Sequence, residues 1–352
     1  MTTYVLKKKL EVDNLNLKHS FVSFITILII VGIGVFCFNL QNFWSQEKYL
    51  VTIAVSKTPL STPFYVAQSI NSFDETCVRV KYFDVMGGQI AFEKVMNGKV
   101  DFGTSSDSVI AFQSLTQQSF VTHAMFVQSD NDVKLITRSS DNIKSTLGLK
   151  GKKVGVIKGT ASEYLLSTLL AIEGLKMGDV ELYHYKPEQL IQGFSRNEVD
   201  AIVPWEPFVF KASQLLGSKI KIHDTKSLST LSFNLISQTA GGELVDRELV
   251  EKAKCVIQGL HTAINYIASH PQESKKIVID ELNLDPAFID WVWPDYIFKL
   301  GLNQSLILNV RSQAVWAVET QMREFKDVPN SERFVDSRAL LQVEPGAVNL
   351  PL

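Results

Sequence analysis

The chain is poor in cysteine and proline and carries no strong net charge. Three cysteines in 352 residues, Cys37, Cys77 and Cys255, cannot build a disulfide-rich scaffold. Eleven prolines and a hydrophobic content of 45% exclude a disordered chain. The formal net charge is −2 and no basic run exceeds Lys7-Lys8-Lys9, so no nucleic-acid partner is expected. Catalytic spacings are missing as well. The histidines at 19, 123, 184, 223, 261 and 270 form no His-x-x-x-His pair and have no Cys-x-x-Cys companion, so no metal site is expected. There is no Walker loop and no Gly-x-Gly-x-x-Gly, and Gly159-Thr-Ala-Ser-Glu163 is not a nucleophile elbow. No cofactor is implied, and binding rather than catalysis becomes the default.

What the chain does contain is an internal echo. Phe92-Glu-Lys-Val-Met-Asn-Gly-Lys-Val-Asp-Phe-Gly-Thr-Ser-Ser-Asp107 is answered by Ile191-Gln-Gly-Phe-Ser-Arg-Asn-Glu-Val-Asp-Ala-Ile-Val-Pro-Trp-Glu206. Each reads as a helix end, a turn at Gly98 or Asn197, a strand opening on Val-Asp, and a polar loop with an acid. Upstream, Leu50-Val-Thr-Ile-Ala-Val-Ser-Lys-Thr58 resembles Lys153-Val-Gly-Val-Ile-Lys-Gly-Thr160. The pattern predicts two α/β lobes of the same element order, facing each other across a cleft that closes on a small molecule. The expected division is 49–138 with 235–352 for lobe one and 139–234 for lobe two.

Further along, Val250, Ala253, Ile257, Leu260, Ile264 and Ile267 mark one helix face, and Asp285-Pro286 is an N-cap followed by an N1 proline. Residues from Pro329 read as loop.

Phe21 to Phe38 is free of charged residues and, at about 1.5 Å per residue, spans roughly 27 Å, enough for a bilayer core. Lys7, Lys8, Lys9 and Lys18 precede it. The positive-inside bias therefore predicts a cytoplasmic 1–20, a membrane anchor at 21–38, a linker at 39–48, and a periplasmic or extracytoplasmic body. A cleaved signal peptide and lipidation at Cys37 are the alternatives. In such a compartment Cys77 and Cys255 can pair; two buried free thiols are the plainer expectation.

Candidate site residues lie in loops at strand ends, where open α/β sheets bind ligands. They are Thr58 and Pro59, Gly88, Ser105, Ser106 and Asp107, Thr160 and Ala161, and Trp205 with Glu206. Several of these loops run into helix N-termini, whose free N–H groups attract anions. Each polar residue there is also an ordinary N-cap. Tyr65 and Trp205 are candidate cleft aromatics. Asp107 and Glu206 hold equivalent places in the two echoes, and two acids facing a cleft suit an amine or amidine.

Taken in order, Pro59, Phe64-Tyr-Val-Ala67, Gly87-Gly88, Asn97-Gly-Lys-Val-Asp101, Leu149-Lys-Gly-Lys-Lys-Val-Gly-Val156, Gly159-Thr160, Asn197-Glu-Val-Asp200 and Trp205-Glu-Pro207 resemble the substrate-binding proteins of ABC importers for nitrate, sulfonates, taurine and thiamine pyrimidine precursors. His270-Pro271-Gln-Glu273 and Leu284-Asp-Pro286 fit as well, and the resemblance covers roughly Tyr49 to Asp336. It implies a type II periplasmic-binding-protein fold with a two-strand hinge. It also implies a small polar ligand, sulfonate- or taurine-like or aminopyrimidine-like, ABC permease and ATPase partners, and no enzymatic activity. A membrane-tethered sensor and, further off, an enzyme on the same fold are the alternatives.

Overall fold

The computed structural model describes residues 48–116, 119–239, 246–320 and 327–350. The expected membrane segment 21–38 lies outside the described residues, and among the described ones no helix is long and apolar enough to cross a membrane.

The chain opens with β1 (Tyr49–Ser56), an apolar run whose Val51, Ile53, Ala54 and Val55 are all buried. The succession α1 (Thr62–Ser69), β2 (Val78–Val85), α2 (Gly88–Met96), β3 (Phe102–Ser106), α3 (Asp107–Ser114) and β4 (Phe120–Ser129) follows. The chain then leaves this sheet and builds a second one from β5 (Ile136–Arg138), β6 (Lys153–Val156), α4 (Ala161–Ile172), β7 (Glu181–His184), α5 (Pro187–Ser195), β8 (Ala201–Ile202), α6 (Phe208–Leu216) and β9 (Ile220–Ile222). It returns through β10 (Leu231–Gln238) and continues as α7 (Arg247–Ser269), α8 (Pro271–Leu282), α9 (Pro286–Val292), β11 (Tyr296–Asn303), α10 (Gln304–Glu319), α11 (Arg338–Val343) and β12 (Val348–Asn349).

The large sheet has the order β12-β11-β4-β10-β3-β1-β2, and the small one β7-β6-β8-β5-β9. Both contain a parallel core, β2-β1-β3 and β7-β6-β8, followed by an antiparallel neighbour. The sequence echo has a physical basis here. Asp101 Oδ2 accepts from Thr52 N at 2.7 Å, and Asp200 Oδ2 accepts from Lys153 N at 2.9 Å. In return Asp101 N donates to Thr52 O at 3.0 Å and Asp200 N to Lys153 O at 2.7 Å. The repeated Val-Asp therefore locks the third strand of each core to the start of the first. Gly103 is needed for the same packing, since a Cβ there would lie 2.8 Å from Val95 Cγ2 and 3.1 Å from Ala91 O.

Two elements differ from the sequence reading. The tail after Pro329 is ordered as the 3-10 turn Ser331–Phe334, α11, the turn Pro345–Ala347 and β12; β12 pairs with β11 and Phe334 stacks on Phe120 at 4.8 Å. Cys77 and Cys255 are joined in a disulfide, not free thiols, tying the entry to β2 onto α7. The residues from Tyr49 onward form one compact unit.

Candidate functional site

Two segments carry the chain between the sheets: 130–135, from β4 to β5, and 223–230, from β9 to β10. They are stitched together, because Thr225 Oγ1 donates to Val133 O at 3.0 Å and His223 N to Leu135 O at 2.9 Å. A narrow crevice, with a free volume of only ≈ 10 Å³, opens where they meet the two sheets. Ser108 at the start of α3, Ala161 at the start of α4 and Gln313 of α10 line it, with Ser129, Asp132, Val133, Thr225, Ser229, Thr230 and Leu231 from the connecting strands. The free space inside is narrow, so a solute larger than water enters only when the walls part.

Of the residues expected at the site, Ala161 lines this crevice. Thr160 sits beside it as N-cap of α4, its Oγ1 accepting from Ser162 N at 3.2 Å. Ser106 caps α3 by accepting from Val109 N at 3.3 Å. Ser105 Oγ donates to Gly88 O at 3.4 Å, and a Cβ on Gly88 would meet Ser106 N at 3.1 Å, so these two loops pack on each other. Thr58 caps the 3-10 turn Pro59–Ser61, accepting from Leu60 N at 3.4 Å. Tyr65 is buried in the core, its hydroxyl without a partner among the described residues and its pKa raised by burial first and by the charge of Asp84 next. Trp205 is half-buried and meets Phe208 edge-on at 6.3 Å.

The two equivalent acids do not stand open, which corrects the expectation of a pair facing a ligand amine. Asp107 is fully buried: Oδ1 accepts from Ser108 N at 2.9 Å, and Oδ2 accepts from Asn309 Nδ2 and, at 3.3 Å, from Gln313 Nε2. Burial nevertheless pushes its carboxyl up to about 7, against those hydrogen bonds. Glu206 is also buried. Its Oε1 accepts from Lys134 Nζ at 3.0 Å and from Trp291 Nε1 at 2.7 Å, and its Oε2 from Phe210 N at 3.0 Å. Protein donors that arrive from distant parts of the chain have taken up both groups.

The acid that does line the crevice is Asp132, which sequence reasoning passed over. Burial and the nearby charge of Glu206 push it up to about 7, while Lys134 and the Tyr296 hydroxyl pull the other way. Its signal in the sequence was only a polar turn, Ser129-Asp-Asn-Asp132, before a short strand. Gln313, on a helix face far along the chain, had none. No cluster of metal-ligating side chains occurs among the described residues.

Comparison with known proteins agrees with this architecture. Residues 58–274 match the family described as NMT1/THI5 like. A candidate aliphatic sulfonates-binding protein of Bacillus subtilis is 24% identical over 250 residues, covering 70% of this chain and 74% of that protein. The taurine-binding periplasmic protein of Escherichia coli is 24% identical over 168 residues, 47% of this chain and 52% of that one. Among solved structures, the periplasmic aliphatic sulphonate binding protein of Escherichia coli superposes with a TM-score of 0.68 at 20% identity, covering 82% of this chain and 98% of that one. The alkanesulfonate-binding protein of Xanthomonas axonopodis pv. citri bound to MOPS gives 0.64 at 18% identity, covering 83% and 99%. The fold is thus the mixed α/β fold of periplasmic binding proteins.

Proposed function

We propose, for a chain that belongs to the NMT1/THI5-like family, that it is the extracytoplasmic solute-binding component of an ABC importer. The observation that carries this reading is the crevice itself. Its walls come from elements of both sheets, and the chain crosses between those sheets through 130–135 and 223–230, so a rotation about these segments would open and close it. This is the two-strand hinge of a type II binding protein.

The relatives described as sulfonate- and taurine-binding suggest a small polar sulfonate as ligand, and the sequence resemblance adds an aminopyrimidine as the second type. Two helix N-termini reach the crevice, α3 at Ser108 and α4 at Ala161. The start of α4 suits an oxyanion, since Thr160 and Ala161 offer polar backbone there. The start of α3 is occupied by Asp107 and suits one less. Ser105, Ser106, Thr58 and Pro59 would join the contact surface when the walls part. Capture without chemistry is the role we infer, in keeping with relatives described as binding proteins. Delivery requires a permease with its ATPase, and residues 21–38 would hold the receptor at the outer face of the inner or plasma membrane.

Isothermal titration of the full chain, unfolded and refolded to remove carried-over solute, tests the reading. Titrants are taurine, alkanesulfonates, nitrate, aminopyrimidines and amino acids. One-to-one saturable binding of a member is expected; heat-silent titration across the panel would remove the receptor assignment.

A further inference from the structure

The following rests on the receptor reading and narrows its ligand. Two acceptors inside the crevice lack a full set of donors. The first is Gln313, only 2% exposed. Its Nε2 donates to Asp107 Oδ2 at 3.3 Å, and its Oε1 has no partner among the described residues. The amide is oriented by Asp107, whose oxygens accept from Ser108 N and Asn309 Nδ2 as well. Turning the amide over would set oxygen against oxygen. A buried carbonyl oxygen left without a donor is costly, and a ligand N–H removes that cost.

The second acceptor is Asp132, which lines the same crevice and is 6% exposed. Its surroundings are charge-imbalanced. Lys134 lies 3.0 Å from Glu206, and Lys226 lies 3.0 Å from Asp295. Each lysine is therefore engaged by another acid, and Asp132 keeps the hydroxyl of Tyr296 as hydrogen-bond partner and only the shared charge of Lys134. Asp132, Glu206 and Asp295 are three carboxylates against two ammonium groups. None of the residues lining the crevice is basic. A buried carboxylate of this kind is stabilised by a cation that arrives with the ligand.

We propose that Asp132 and Gln313 are the specificity-determining pair of the cleft, and that they select a small solute bearing a protonated nitrogen. The Asp132 carboxylate meets its charge and Gln313 Oε1 accepts one of its N–H groups. A bare oxyanion such as nitrate, or an unsubstituted alkanesulfonate, leaves both acceptors unmet. Asp107 and Glu206 act behind this pair: Asp107 holds the Gln313 amide, and Glu206 engages Lys134, which Asp132 therefore shares.

Matched probes differing in one group decide the matter. Taurine, isethionate and ethanesulfonate share a two-carbon sulfonate and carry on the far carbon an ammonium, a hydroxyl and a hydrogen. 4-Amino-2-methylpyrimidine and 2-methylpyrimidine form a second pair. Titration of the refolded full chain should show at least one nitrogen-bearing member binding about ten-fold or more tightly than its matched partner, as a hydrogen bond to a charged group warrants. In Asp132→Asn and Gln313→Leu that ratio should fall to within about two-fold. Binding in which neither amino-bearing member is preferred, ethanesulfonate matching taurine and 2-methylpyrimidine matching its 4-amino partner, overturns the inference and leaves the receptor reading standing. A full preference retained in both variants also overturns it, by placing the nitrogen elsewhere. Silence from every probe overturns the inference together with the receptor reading. The wild-type ratio is informative even if a variant fails to fold.

Discussion

Trp291 donates its indole N–H to Glu206 Oε1 over 2.7 Å, and so joins α9, packed on the large sheet, to the loop that follows β8 of the small sheet. Phe210 of α6 reinforces the join, with ring centroids 5.4 Å from Phe288 and 6.0 Å from Trp291. Trp291 is 38% accessible, while Glu206 is buried. Replacing Trp291 by Phe keeps the ring and removes the donor. Glu206 keeps its other two partners, so the expected loss is about 1–2 kcal/mol, somewhat under a full hydrogen bond to a charged group. Urea unfolding followed by tyrosine and tryptophan fluorescence measures it; no change in midpoint would mean that the contact is dispensable.

Lys134 and Glu206 form a buried pair, their side chains 6% and 2% exposed. Removing either partner strands the other charge in a medium that solvates it poorly, so Lys134→Met and Glu206→Gln should each cost about 3–5 kcal/mol. The double variant should lose much less than the sum, with a coupling of about 2 kcal/mol. Additive losses in a double-mutant cycle would show that the pair does not act as a unit.

The Cys77–Cys255 bridge closes a loop spanning 178 positions. Cross-links over long stretches restrict the unfolded chain most, and removal of one from a natural domain costs about 2–5 kcal/mol. The Cys77→Ala/Cys255→Ala variant, or the wild-type chain in reductant, should unfold at correspondingly lower denaturant. Equal midpoints with and without reductant would contradict this.

Asp132 makes stability fall with rising pH. Its carboxyl titrates near 3.8 in the unfolded chain and about 7 in the folded one, so the folded state keeps a proton that the unfolded state has lost between those values. The contribution is lost as pH rises through that window and is fully absent above about 7. Asp107 acts in the same direction, whereas His123, held down to about 4 by burial, acts in the opposite one. Comparing wild type with Asp132→Asn isolates one group: from pH 5 to pH 8 the variant should gain on wild type, by at most ~3 kcal/mol, since about two pH units of that window lie above pH 5. Neighbouring charges on Glu206, Asp295 and Lys134 temper the figure. A difference that stays flat with pH would show that Asp132 is ionised throughout.

Much of the scaffold was legible because it depends on short-range pattern. The stripe from Val250 to Ile267 became α7, the Asp285-Pro286 cap opened α9, and Asp101 and Asp200 took matching posts in the two sheets. Strands β4 and β11 were harder to see. Phe120–Ser129 is buried along nearly its whole length between β10 and β11, yet it includes Thr122, His123 and Ser129. No alternation marks a strand covered on both faces. His123 is tolerated there because its Nε2 pairs with Ser237 Oγ at 2.8 Å, a partner 114 positions away.

The echoed succession of helix end, turn and strand in the two lobes and several helix caps follow from the sequence alone, since each depends on residues a few positions apart or on a pattern that repeats. The roles of the acids do not. Asp107, Asp132 and Glu206 look alike in a sequence, but Asn309 and Gln313 cover the first, Lys134 and Trp291 claim the third, and only the second is left lining the crevice. A carboxylate's chemistry is set by what displaces its water, and here the displacing groups arrive from as much as 206 positions away, so only the tertiary structure decides it.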